Sequence, residues 1–161
     1  MITNTEVVDA WMQGLPANGR NIYTDGITIW SYGNHFPIAK HLTHGRVLYN
    51  VTRYSNTTSK HQALVRCAMC RFGKTAITCR DTHPFDNERY TKDALRTLIA
   101  KIPKCRKLVD RIVDVKCELL RYVKYNEALG LKDGRWVKEL QFALSNLRGK
   151  ALRTWAKNYQ L

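Results

Sequence analysis

Between Asp25 and Asp81 the sequence has no carboxylate, and those 55 residues carry eight cations (Lys40, Arg46, Arg53, Lys60, Arg66, Arg71, Lys74, Arg80) and four histidines. A stretch without acids cannot neutralise its own charge, so a surface built from it presents positive potential. The same gap argues against a magnesium-dependent nuclease, which needs two or three carboxylates beside the phosphate to hold its ions. No apolar run approaches the roughly 20 residues that span a bilayer. The opening Met1-Ile2-Thr3-Asn4-Thr5-Glu6 lacks the basic and apolar blocks of a secretory signal. Five cysteines cannot all pair with one another, so reduced thiols in a cytoplasm are expected. The sequons Asn50-Val51-Thr52 and Asn56-Thr57-Thr58 are then chance matches. Gly-x-Gly-x-x-Gly, Walker and Gly-x-Ser-x-Gly patterns are absent, as are repeats and low-complexity tracts.

What is present is cation. The 161 residues hold 27 Lys or Arg against 13 Asp or Glu, a net charge of +14. Such an excess favours a polyanionic partner, nucleic acid before an anionic membrane or an acidic protein. Hydrophobic content of 44% is ordinary, so a folded domain is expected rather than disorder.

Along the chain, Val7, Val8, Trp11 and Met12 stand at helical spacing, and Gly14 to Gly19 reads as the turn that ends this helix. Asn21 to Tyr23 reads as a brief strand. From Ile27 the residues alternate to Tyr32, Gly33-Asn34 turns, and Phe36 to Leu42 returns as a second strand whose Pro37 suits a strand start or an edge. Val47 to Tyr54 is the strongest strand signal. Thr57-Thr58-Ser59 offers hydroxyls to a helix start, with Leu64, Cys67, Ala68 and Arg71 as its stripe, Phe72-Gly73 as its stop and a further strand over 75–80. Asp81 to Arg89 is the boundary. Beyond it Thr91 caps a helix bearing Leu95, Leu98, Ile99 and Ile102, which Pro103 ends. A second helix carries Leu108, Ile112, Val115, Leu119 and Tyr122 and stops at Gly130. A third carries Trp136, Leu140, Leu144, Leu147, Ala151 and Trp155, with Gly149 able to break it. The expected fold is α+β: a small antiparallel or mixed sheet with one crossing helix, followed by a basic three-helix C-terminal part. Residues 1–85 form the meander and helix module, and 86–161 the helical part, packed as one unit with the first.

Three constellations invite a chemical reading. Cys67-x2-Cys70-x8-Cys79-x3-His83 has spacings a tetrahedral zinc site could use. Cys67 and Cys70 fall inside a periodic helix, however, and no knuckle presents them, so core cysteines and no metal or other cofactor are expected. His41-Leu42-Thr43 is half of a two-histidine phosphodiesterase signature whose second element is missing, which leaves a histidine-dependent phosphodiesterase or nuclease through His35, His41 or His61 as a third choice. The remaining pattern is cations interleaved with Trp30, Tyr32, Phe36, Tyr49 and Tyr54, then basic helices without an acid after Glu139. The phosphate-contact candidates are Lys40, Arg46, Arg53, Lys60 and Arg66, with Lys104, Lys107, Arg111, Lys150, Arg153 and Lys157 from the helical half.

Trp11, Asn21, Tyr23, Gly26, Ile29, Ser31-Tyr32-Gly33, His35-Phe36-Pro37-Ile38-Ala39, Tyr54-Ser55, Thr57-Thr58 and His61 together carry a resemblance. On these residues the first 65 or so positions resemble short proteins of bacteriophages and mobile elements that share a domain of unassigned activity. The resemblance implies a phage origin and action in the cytoplasm of the infected host, and it transfers no catalytic residue. The expected function is thus non-enzymatic nucleic-acid binding, to DNA or RNA, during host takeover or genome handling. The alternative is an inhibitor or adaptor docking on an acidic host protein. No membrane partner is expected.

Overall fold

A computed structural model describes residues 2–161 and divides them, by the grouping of their contacts, into two units, Met1–Asp86 and Asn87–Leu161. The architecture is α+β, with a six-stranded mixed sheet in the first unit and the later helices C-terminal to it. Among the described residues no helix is long and apolar enough to cross a membrane.

In the first unit, α1 (Asn4–Met12) starts at a reciprocal cap. Thr3 Oγ1 accepts from the Glu6 amide at 3.2 Å, and Glu6 Oε2 accepts from the Thr3 amide at 2.6 Å. Its buried face, Val7, Val8, Trp11 and Met12, is the one the spacing predicts. The segment expected as a turn contains a short strand, β1 (Pro16–Asn18), which opens the sheet β1-β2-β3-β4-β5-β6. The others are β2 (Ile22–Asp25), β3 (Thr28–Ser31), β4 (Phe36–His41), β5 (Arg46–Asn50) and β6 (Thr75–Cys79). The first five run as an antiparallel meander, and β6 joins β5 in parallel after the crossing helix α2 (Asn56–Arg71). Where β1 and β2 approach, Gly26 (φ 93°) is required, because a Cβ there would stand 2.5 Å from the Gly14 carbonyl oxygen. Pro37 lies in a central strand, next to its start and at the shift in β3–β4 register, where its missing amide costs least.

The strand expected over 47–54 ends at Asn50. Its side chain captures the Thr52 amide at 2.9 Å, and Thr52 Oγ1 turns to the Arg80 carbonyl at 2.8 Å, so local side-chain bonds replace the ladder. Ser55 then caps α2, accepting from the Thr58 amide at 3.1 Å, earlier than the three hydroxyls suggest. The buried face of α2 is also not the expected one. It is Thr58, His61, Gln62, Val65, Ala68 and Met69, while Cys67 and Arg71 are exposed. Apolar periodicity misses it because polar members of this face are satisfied inside: Gln62 donates to the Asn50 carbonyl at 2.7 Å, and His61 is bound to Ser31.

Among the described residues the second unit holds four α-helices where three were expected. Its first, α3 (Pro84–Ile99), begins at Pro84 and not at Thr91, which is buried at mid-helix; proline suits a first turn because its missing amide would lack a partner there in any case. A 3-10 turn (Ile102–Lys104) follows, then α4 (Leu108–Leu129), stopped by left-handed Gly130, α5 (Arg135–Asn146) and α6 (Gly149–Asn158). Leu147 and Arg148 are extended, which resets the helical phase: α6 buries Leu152 and Ala156, and Ala151 of the expected stripe is exposed. Leu95, Ile99, Ile102, Val115, Leu119, Tyr122, Val137, Leu140 and Leu144 complete this core.

Candidate nucleic-acid interface

Charge is divided unevenly between the units. Residues 87–161 hold 18 Lys or Arg against 8 Asp or Glu, a net +10, whereas 1–86 hold 9 against 5, a net +4. The unit that contains the acid-free window is therefore the less basic of the two, because Glu6, Asp9, Asp25, Asp81 and Asp86 flank the window. Within the second unit, two other stretches lack acids, 94–109 and 140–161, and the fold brings them together. Pro103 ends α3 and forces the 3-10 turn, Ile102 plugs into the core, and Lys101, Lys104, Arg106 and Lys107 are left exposed around it. Against that turn lies α6. Arg153 fastens the contact, its guanidinium donating to the carbonyls of Ile102 (3.0 Å), Pro103 (2.9 Å) and Cys105 (2.9 Å).

Lys150 and Lys157 share the Arg153 face of α6 at helical spacing and are exposed. Between the C-terminal end of α3 and α6 runs an open groove of about 760 Å³. Ile99, Ala100, Pro103 and Ala156 line it with apolar groups, Tyr159 adds an aromatic ring, and Lys104 and Lys157 reach it from the 3-10 turn and from α6. The Tyr159 ring packs on Trp155 with centroids 4.4 Å apart, and burial pushes its hydroxyl pKa up. Arg96 also lines the groove, but Asp93 (2.6 Å) and the Leu161 carbonyl oxygen already hold its guanidinium.

The structure separates the candidate residues. Lys104, Lys107, Lys150 and Lys157 lie around the turn and α6. Arg153, read from the sequence as a phosphate contact, gives three of its N–H donors to carbonyls of the turn and so fastens α6 to it. Arg111 is likewise drawn into an ion pair with Asp114 at 2.9 Å. In the first unit Lys40 pairs across the sheet with Thr28 and Leu48 and projects from the face opposite its neighbour Ala39, which lies in the core beneath α1 and α2. Lys60 and Arg66 are exposed on α2, Arg53 is exposed in the loop before it, and Arg46 donates to the Thr43 carbonyl at 3.5 Å. Arg71, also in the window, pairs with Asp9. The window's cations thus leave the sheet on both of its sides and do not make one surface. Sequence reading missed the groove, including Arg96 and Tyr159; the acid-free span 94–109 is the signal that points there.

The two motifs that carry the resemblance meet inside the first unit. Ser31 Oγ lies 2.8 Å from His61 Nδ1 and 3.5 Å from Thr58 Oγ1, Thr58 accepts from Ser55 at 3.0 Å, and Tyr32 tilts over the His61 ring at 5.7 Å. Tyr32 takes a left-handed backbone (φ 57°), uncommon for a bulky residue, in the turn that places this ring. Ser31 is fully buried and His61 only 5% exposed, so the pair pins α2 to β3. His41 stacks on Trp11 at 4.2 Å and bonds its carbonyl at 2.9 Å. Burial holds both imidazoles below their ordinary pKa, His41 with an added push from Lys74 and opposed by its bond to Trp11.

Cys67 and Cys70 are exposed, which corrects their reading as core residues, whereas Cys79 is buried. His83 is exposed beside Asp86, 3.6 Å away. Among the described residues no group of three or more His, Cys, Asp or Glu is placed to hold a metal ion. Compared with protein-family models, curated proteins and solved structures, the chain matches none.

Proposed function

We propose that this chain is a non-enzymatic nucleic-acid-binding protein of phage or mobile-element origin that acts in the infected host's cytoplasm and holds its ligand chiefly by phosphate contacts. One observation supports the reading above the others: two separate acid-free stretches converge, so that Lys101, Lys104, Arg106, Lys107, Lys150 and Lys157 surround one turn and the helix docked on it. Among the described residues, none of these six forms an ion pair with a carboxylate. Cations left unpaired at one place are what displaces counterions from a polyanion.

The test is binding measured by fluorescence anisotropy across salt. Five or six phosphate contacts give a log–log slope of about −4 to −5, which is roughly a 10²- to 10³-fold loss between ~50 and ~200 mM salt. Replacing Lys101, Lys104 and Lys107 together with glutamine should flatten that slope by about 2 to 3. An affinity flat across this range refutes the proposal. Should nuclease-treated, high-salt material still co-elute with one acidic host protein, the adaptor reading takes its place.

A further inference from the structure

Resting on that reading and going past it, we infer that the groove between α3 and α6 seats an unpaired nucleobase, so that the ligand class is single-stranded nucleic acid. A groove of about 760 Å³ lies within the range of sites that bury small organic groups, about 300–1,000 Å³. A base within a duplex does not enter it, since stacking on its neighbours covers both of its faces and only its edges are accessible in the grooves. The side chains of Ile99, Ala100, Pro103 and Ala156 in its lining are apolar and offer nothing to a phosphate. The Tyr159 ring, packed on Trp155, adds to the lining an aromatic group of the kind on which bases of any sequence stack.

Charge selects the occupant further. Among the described residues no Asp or Glu side chain lines the groove, the carboxyl oxygen of Leu161 there is held by Arg96, and Lys104 from the 3-10 turn and Lys157 from α6 supply cations from two elements. A flat apolar group carried between two anions matches that arrangement, and a nucleotide within a strand is such a group, its base entering the groove and its flanking phosphates meeting the lysines. Arg96 is occupied by Asp93 and the Leu161 carbonyl, so it shapes the wall and is not counted as a phosphate contact. An acidic peptide bearing aromatic side chains shares part of this chemistry and is one arm of the test.

The full chain is titrated at constant salt with a labelled mixed-sequence 15-nucleotide single strand, a 15-base-pair duplex and an alternating Glu-Phe peptide. Ala100→Phe fills the groove from an exposed position without altering charge, and Tyr159→Leu removes the ring while keeping an apolar residue. The expected result is a single strand bound at least about tenfold tighter than the duplex. Each substitution should weaken single-strand binding about tenfold, within the range attributed to one stacked base, and leave duplex binding and the salt slope unchanged. Equal affinity for strand and duplex, with both variants silent and a steep salt slope retained, overturns the inference while leaving phosphate binding in place. If the peptide binds and neither nucleic acid does, both fall.

Discussion

Arg153→Met tests the assembly of the basic site. The guanidinium spends its donors on three carbonyls that follow one another around the 3-10 turn, Ile102, Pro103 and Cys105, at 2.9–3.0 Å. Hydrogen bonds from a charged group contribute about 1.5–3 kcal/mol each. These are half-buried and share one donor plane, so water recovers part of the loss and the three do not add. Methionine keeps the apolar stem, which isolates the polar contribution, and a destabilisation of about 3 kcal/mol is expected. For a chain of this size that lowers Tm by about 6–12 °C, at about 2–4 °C per kcal/mol. Arg153→Lys should recover only about 1 kcal/mol, because a single ammonium cannot span three carbonyls as a planar fork does. Urea unfolding followed by far-ultraviolet circular dichroism measures both variants. A loss below about 0.5 kcal/mol, the usual scale of a surface substitution, refutes the reasoning. Unchanged stability together with a drop in nucleic-acid affinity refutes it as well, since Arg153 would then be a phosphate contact.

Two further predictions concern the first unit. Ser31→Ala removes the partner of a nearly buried imidazole nitrogen and should cost about 1–3 kcal/mol in the same unfolding assay; a neutral substitution would show that the two motifs are not joined through this bond. Because the folded chain holds His41 and His61 below their ordinary pKa, the unfolded chain binds protons more readily, so stability is full above about pH 6.5 and is lost as pH falls towards the depressed folded values. For His61 the slope is at most about 1.4 kcal/mol per pH unit. Urea midpoints measured from pH 5 to 8 should show the decline, and His61→Gln should reduce it; a profile that falls instead with rising pH has the wrong sign for this argument.

Individual elements differ in how legible they are in the residues. The faces of α1 and α4 are readable because apolar residues recur at 3.6-residue spacing and the stop signals, Gly14 and Gly130, are left-handed glycines. The buried face of α2 is not, because His61 and Gln62 enter the interior only once Ser31 and the Asn50 carbonyl are there to satisfy them. Strand β1 has three residues and no apolar alternation, and it exists because β2 pairs with it. The α6 stripe differs from the expected one by one position because a two-residue interruption shifts helical phase, and only the backbone reveals that shift.

The sequence by itself determined the excess of cations, the α+β order of elements and the places where acids are missing, since these depend on composition and local period alone. Tertiary structure decided which cations remain available. Arg153 and Lys157 stand four residues apart on one helix, yet one is consumed by carbonyls of a distant turn and the other reaches a groove. Lys40 and Lys60, twenty residues apart within the same acid-free window, belong to the sheet on one side and to α2 on the other. Electrostatic potential at a surface depends on distances between charges in space, and spacing along a chain does not contain those distances until packing closes the loops between them.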